Sequence, residues 1–144
     1  MNQPANTAQD TRTLVLEREF LHPQEKLWRA LTESSLLAQW LLGNDFVPTV
    51  GHKFEFRSLP MPQWDGVIRC EVLALDPPSR VSYSWSALGL DSVVLFTLTP
   101  TENGTHLRME HSGFPLDQDQ AYKGANYGWQ RFLGNLEQLL TAIH

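Results

Sequence analysis

Cysteine and long apolar runs are scarce in this sequence, which has one cysteine, Cys70, among its 144 residues. A single cysteine excludes an intramolecular disulfide, and the clustered ligands typical of a zinc site are also absent. No apolar run approaches the roughly 20 residues of a membrane span, and the first residues lack the basic start of a signal peptide. We therefore expect a cytoplasmic protein without a metal, a cofactor or a membrane partner.

Positive charge is also limited, with 11 Lys and Arg against 16 Asp and Glu, and a net charge of -5. The basic residues form no cluster that could follow a phosphate backbone, so nucleic acid is a poor candidate partner. The chain also lacks the Gly-x-Ser-x-Gly, His-Glu-x-x-His and phosphate-loop motifs of familiar enzymes. These absences favour a binding protein over an enzyme.

Residues 1–10 form a polar tail that we expect to be disordered, and a strand pattern follows it. From Thr11 apolar and polar residues alternate, which is typical of a half-buried strand. The predicted inner face of this strand carries Leu14, Leu16, Arg18 and Phe20. From Pro23 to Leu42 leucines and tryptophans recur at helical spacing, with a polar break at Thr32 to Ser35. The sequence therefore predicts two short helices after the first strand.

Five further strand candidates follow, each bounded by turn-forming residues. They cover residues 52–59, 64–76, 79–86, 92–100 and 104–112. From about Asp117 the apolar spacing becomes helical and continues to Ile143. The short connections between these strands favour antiparallel pairing. We therefore expect the strands and helices of residues 11–144 to form one α+β domain. In it, a curved antiparallel sheet of about six strands wraps around a long C-terminal helix.

Several stretches of the chain are similar to a known family. They read LEREFLHPQEKLWRALTESSLLAQWL, VGHKFEF, DGVIRCEVLALDPPSRVSYSW, FTLTPTENGTHLRMEHSGF and YGWQRFLGNLEQLL. Together they resemble the activator of Hsp90 ATPase homologue 1-like (AHSA1-like) domain of the START/Bet v 1-like (SRPBCC) superfamily. The likeness extends from Arg12 to Ile143 and keeps the order of the segments.

This resemblance implies a helix-grip fold with an apolar cavity between the sheet and the C-terminal helix. Domains of this kind bind hydrophobic or aromatic small molecules, and some relatives in the wider superfamily act as cyclases or hydrolases. The eukaryotic co-chaperone of the family has an additional N-terminal domain, which this sequence lacks. Both this chain and Hsp90 are acidic, so electrostatic attraction would not favour their encounter. A chaperone partner is therefore the less favoured alternative.

Ten residues are candidates for contact with a ligand, because most are aromatic and fall on predicted inward faces or on the rim of the cavity. They are Trp40, Phe54, Phe56, Trp64, Tyr83, Trp85, Met109, His111, Phe114 and Trp129. Ordinary core packing is the alternative for such residues and is favoured for Phe56. We expect Trp40 near the mouth of the cavity and Trp129 in the centre of the contact between helix and sheet. Gly128 is expected to allow the helix to approach the sheet closely.

His111 is the best polar candidate within the cavity. It shares strand parity with Leu107 and Met109, whereas His106 lies on the opposite face, so the two histidines cannot share a metal. An inward histidine is either a hydrogen-bonded core residue or a ligand contact. With no ligand bound, water or Tyr83 is expected to be its partner.

Two other residues have an unusual predicted setting. Cys70 falls on an apolar strand face, which favours a buried small side chain over a reactive thiol. Arg18 shares a face with leucines, and its guanidinium either leaves the core for a polar partner or binds an anion. The first alternative is favoured.

The sequence thus predicts a domain that binds a hydrophobic or aromatic small molecule in an internal cavity. A co-chaperone-like interaction module is one alternative, and a cyclase-like or hydrolase-like enzyme using the same cavity is another. Only His111 and Tyr83 are candidates for acid or base in the cavity, which is too little to assign a reaction. The oligomeric state is left open, with a homodimer as one option.

Overall fold

A computed structural model describes residues 11–144, and the predicted tail over residues 1–10 lies outside the described residues. The strands are β1 (Thr11–Phe20), β2 (Gly43–Asn44), β3 (Lys53–Arg57), β4 (Val67–Asp76), β5 (Arg80–Ala87), β6 (Leu90–Pro100) and β7 (Thr105–Pro115). The helices are α1 (Gln24–Thr32), α2 (Ser34–Trp40) and α3 (Asp119–Ala142). No helix within the described residues is both long enough and apolar enough to cross a membrane.

The strands form one antiparallel sheet in the order β1-β7-β6-β5-β4-β3-β2. Strands β3 to β7 follow each other as the predicted meander, and β1 pairs with β7 at one edge. After β1 the chain must therefore cross to the opposite edge of the sheet. The pair α1 and α2 makes this crossing, with α1 against β6 and α2 against α3 and β2. The predicted α+β helix-grip arrangement is confirmed.

The sheet has seven strands, one more than expected, because Gly43 and Asn44 pair with β3 at its edge. A strand of two residues is too short to show the alternation by which a sequence predicts a strand. Asn44 also links this edge to α2, since its side-chain Oδ1 accepts a hydrogen bond of 2.8 Å from the Ser34 hydroxyl.

The alternation of apolar and polar residues predicted the inner face of β1 correctly. Leu14 and Phe20 are buried, whereas Glu17 and Glu19 are exposed on the outer face. β1 and β4 each contain a register shift, between Arg12 and Thr13 and near Val72 respectively. Shifts of this kind bend a strand and increase its twist, which helps the sheet to curve around α3.

The two short helices break at a single residue, Glu33, whose extended backbone has φ -98° and ψ 122°. This residue lies within the predicted break. Trp40 at the end of α2 is 1% exposed and donates a hydrogen bond of 2.8 Å from Nε1 to the carbonyl oxygen of Ala30. The bond holds α2 against α1.

Helix α3 packs on the sheet mainly through its second half. Its buried residues are Trp129, Leu133, Leu136, Leu139 and Leu140. No residue of the helix before Trp129 is fully buried. The expectation for Gly128 was wrong, because a Cβ atom at this position would meet nothing within 4 Å. The first turns of α3 are therefore less buried than its second half.

Candidate functional site

A pocket of about 360 Å³ lies at the end of the sheet beneath the first turns of α3. β4 to β7 form its floor, and the β3–β4 loop and the β5–β6 turn form its rim. Its lining residues are Trp64, Ile68, Trp85, Ala87, Leu88, Leu90, His111, Phe114, Gln118, Gln120, Ala121, Gly124 and Ala125. None of these is an acidic or basic residue apart from His111. The pocket is therefore an apolar space with a few amide and indole groups.

Four of the ten predicted site residues line this pocket: Trp64, Trp85, His111 and Phe114. Trp64 stands in the β3–β4 loop, where its indole N–H donates to the carbonyl oxygen of Val67 at 3.1 Å. Trp85 and Phe114 both pack against His111, with ring centroids 5.6 and 4.6 Å from the imidazole. These aromatic rings give the pocket flat apolar walls.

Three of the other predicted residues form a packed aromatic cluster deeper in the core. Phe54 lies 5.3 Å from both Phe56 and Tyr83, measured between ring centroids, and all three side chains are buried. The expectation that they line the cavity is corrected here, because neighbouring rings fill the space on the inner face. Phe54 also borders a separate groove that carries charged residues of β3 and β4.

Trp40, Met109 and Trp129 likewise belong to the core and not to the pocket lining. Trp40 packs edge-on against Phe96 at 6.2 Å between centroids, so it does not lie at the pocket mouth as we expected. Trp129 also packs against Phe96, at 5.8 Å, and occupies the predicted centre of the contact between α3 and the sheet. These side chains fill the interior between the sheet and the helices.

The small residues of α3 that leave the space open were not among the predicted site residues. Ala121, Gly124 and Ala125 line the pocket on one side of the helix, where longer side chains would fill it. Their spacing of three and four residues puts them on one helix face, and this was a signal available in the sequence. Leu88 was also missed, because a turn residue shows no inward or outward parity.

His111 forms the centre of a hydrogen-bond chain. The indole Nε1 of Trp129 lies 3.0 Å from His111 Nδ1, and His111 Nε2 lies 2.8 Å from the Ser92 hydroxyl oxygen. The same hydroxyl lies 2.8 Å from the carbonyl oxygen of Trp85. The expected partner, water or Tyr83, was wrong, since Ser92 and Trp129 occupy both ring nitrogens.

The donors and acceptors of this hydrogen-bond chain are determined by the groups at its two ends. An indole N–H can only donate, so Nδ1 of His111 must be the unprotonated nitrogen that accepts. The neutral ring then carries its proton on Nε2 and donates to Ser92, whose own proton goes to the Trp85 carbonyl. Burial lowers the pKa of His111 to about 4, which keeps the ring neutral at pH 7. Neither nitrogen has a free lone pair or proton for a ligand.

Two other buried groups have strongly shifted pKa values. The Tyr83 hydroxyl has no hydrogen-bond partner among residues 11–144, and burial raises its pKa well above the usual range. Burial also raises the pKa of the Cys70 thiol to about 12, so it remains protonated. Cys70 lies on the buried face of β4 as predicted. A protonated, buried thiol is a poor nucleophile.

Two arginines of β1 have protein partners. Arg18 reaches Gln130 Oε1 of α3 at 2.7 Å, which supports the favoured alternative for this residue. At the start of α3, Arg12 pairs with Asp119 and also stacks on Tyr122, with its guanidinium carbon 3.9 Å from the ring centroid. The hydrogen bond from Arg12 is the main cause of the lowered pKa of Asp119. This pairing ties β1 to the helix that covers the pocket.

Residues 11–144 contain no group of three or more His, Cys, Asp or Glu side chains suited to a metal ion. His106 lies on the outer face of β7, as predicted, with Nε2 2.7 Å from Glu17. It is therefore separated by the sheet from His111.

Comparisons with known proteins define the family. The model of the family "Activator of Hsp90 ATPase homolog 1-like protein" matches residues 21–141. Protein MLL2253 from Mesorhizobium loti is 51% identical over 92% of this chain and 99% of its own, with a TM-score of 0.87. The chain therefore belongs to the AHSA1-like family, which confirms the family predicted from the sequence.

More distant structures share the fold. CalU16 from Micromonospora echinospora is 22% identical, with a TM-score of 0.76, and the match covers 90% of this chain and 76% of CalU16. DynU16, a protein of the dynemicin biosynthetic locus, is 23% identical, with a TM-score of 0.74, over 92% of this chain and 47% of its own. Comparison with curated proteins gave no match.

Proposed function

We propose that this protein binds a neutral, largely apolar, ring-containing molecule in the pocket beneath the first turns of α3. The observation that carries the proposal is the set of tryptophan and phenylalanine walls around an open space of about 360 Å³. Small-molecule sites are typically of this kind, with apolar walls and few polar groups. The proposal includes a cytoplasmic location and no nucleic-acid or membrane partner.

The pocket walls indicate the shape of the ligand. Trp64, Trp85 and Phe114 offer flat faces on which an aromatic ring system can stack. The amides of Gln118 and Gln120, at the start of α3, are the uncharged polar groups of the lining that could bond a ligand carbonyl or hydroxyl. Because no carboxylate, lysine or arginine lines the pocket, a charged ligand would lose hydration without gaining a partner.

The hydrogen-bond chain through His111 favours binding over catalysis. A general base needs a lone pair directed at the substrate, and both nitrogens of His111 are engaged by Trp129 and Ser92. Tyr83, the other candidate, lies outside the pocket lining. An enzyme of the cyclase or hydrolase kind would therefore need a different acid or base from those predicted.

A co-chaperone role is the second candidate, and the description of the matched family favours it. A chain with a net charge of -5 offers no electrostatic attraction to an acidic chaperone. Stimulation of a chaperone ATPase by the purified protein, together with failure of the binding experiment below, would replace the ligand-binding proposal with this one.

The binding experiment fills the pocket without removing a core side chain. The neutral naphthalene probe prodan is titrated into wild-type protein and into Gly124→Leu, because Gly124 lines the pocket and a Cβ there meets nothing within 4 Å. Gly134→Leu is the matched control: it lies in the same helix with the same free space but outside the pocket.

Wild type and Gly134→Leu should bind prodan saturably, and Gly124→Leu should bind it at least tenfold more weakly, because leucine occupies part of the pocket. Absence of saturable binding by the wild type, or equal affinity for prodan in all three proteins, would refute the proposed site. Thermal unfolding of each variant serves as the check that the fold is intact.

A further inference from the structure

A second apolar groove, also of about 360 Å³, adjoins the pocket. Its lining consists of Met61, Pro62, Gln63, Trp64 and Leu88. Trp64 and Leu88 line both spaces, so the pocket and the groove meet at these two side chains. The groove contains no charged residue, and Met61 in it is 63% exposed.

Leu88 has an unfavourable place in the fold. It is the first residue of a two-residue turn between the paired residues Ala87 and Leu90, and its φ is 55° in the left-handed region, as is that of Gly89 at 79°. Turns with positive φ at both central residues favour Asn-Gly, because a branched side chain crowds the backbone in that conformation. The side chain is also 70% exposed, so it contributes little to the core.

An exposed leucine in a strained turn serves neither the hairpin nor the core. Sites that break local rules without a structural gain are commonly functional, because the cost is tolerated for the sake of a contact. Leu88 lies on the boundary between pocket and groove, where its exposed side chain can contact a ligand. Asn at the same position would suit the backbone better but would place a polar amide on that boundary.

We propose that the pocket and the groove form one bipartite binding site, in which Leu88 and Trp64 hold the junction of a two-part ligand. The inference rests on the proposed function: the ring system occupies the pocket, and an aliphatic chain of the same molecule crosses Leu88 into the groove. An unbranched methionine and a proline suit such a chain, because both offer apolar surface that adapts to its shape. A groove formed by five residues is too small for a protein partner.

The test compares two neutral probes that differ only in chain length, prodan and its hexanoyl homologue. In wild type the three extra methylenes should strengthen binding about tenfold, because they enter the groove in part. In Leu88→Asn this gain should fall below threefold, while the thermal midpoint stays equal or rises as the turn relaxes. A purely structural role for Leu88 would leave the ratio of the two affinities unchanged.

Leu21→Asn is the matched control, since Leu21 is also an exposed leucine, at 74%, and lies outside pocket and groove. Leu21→Asn should keep the tenfold gain in affinity from prodan to its hexanoyl homologue. Met61→Ser should lose this gain, although it leaves the turn at Leu88 unchanged. A gain below threefold in wild type, or an unchanged gain in both Leu88→Asn and Met61→Ser, would overturn the bipartite site. Failure of prodan itself to bind would instead refute the proposed function.

Discussion

His111 should make the folded protein sensitive to acid below neutral pH. The side chain is 2% exposed, and burial lowers its pKa from 6.5 to about 4 in the folded protein. In the unfolded chain the imidazole returns to its ordinary pKa, so the unfolded state takes up the proton first as pH falls. The stability that depends on the neutral ring is therefore complete above pH 6.5 and is lost progressively as the pH approaches 4.

The magnitude follows from the two pKa values. One pKa unit corresponds to about 1.4 kcal/mol, so the whole effect is about 3 kcal/mol, of which about 2 kcal/mol is lost between pH 7 and pH 5. The control is His111→Gln, because a glutamine amide can accept from Trp129 and donate to Ser92 but does not titrate.

Urea unfolding, followed by tryptophan fluorescence at pH 7 and at pH 5, measures the free energy of unfolding of both proteins. Between these pH values the wild type should lose about 2 kcal/mol more than His111→Gln, since the two proteins differ only at this side chain. An equal loss in the two proteins would show that His111 is not held neutral by its surroundings.

Three further predictions concern packing and hydrogen bonding. Ser92→Ala should cost about 2 kcal/mol in urea unfolding, because it leaves the buried Nε2–H of His111 without an acceptor; Ser86→Ala, whose hydroxyl bonds Asp91 at the surface, should change little. Trp129→Ala should lower the free energy of unfolding by roughly 3–5 kcal/mol in the same measurement. A loss well below 1 kcal/mol would contradict close packing of α3 on the sheet. Gly128→Ala should raise the free energy of unfolding by up to about 1 kcal/mol, because alanine favours a helix over glycine and the added Cβ meets nothing within 4 Å. A lower free energy of unfolding would show that the Cβ position is not free.

The packing explains why six of the ten predicted ligand contacts lie outside the pocket. Strand parity places Phe54 and Tyr83 on the inner face, and they do lie there. Parity says nothing about how far along the strand an opening lies, because that depends on which parts of α3 approach the sheet. The helix packs closely from Trp129 onward and leaves the space beneath Gly124 and Ala125.

Local periodicity by itself determined which side chains face inward and where every element except the two-residue strand β2 lies. The opposite directions of His106 and His111, the buried face of Cys70 and the helix pair around Glu33 all follow from repeats of two or 3.6 residues, which are properties of the backbone. Only the tertiary structure decided which partners these side chains meet. Ser92 and Trp129 reach His111 from β6 and α3, and Leu88 and Trp64 line one groove from two different loops. Such contacts join residues far apart in the chain, and no local pattern encodes their distances.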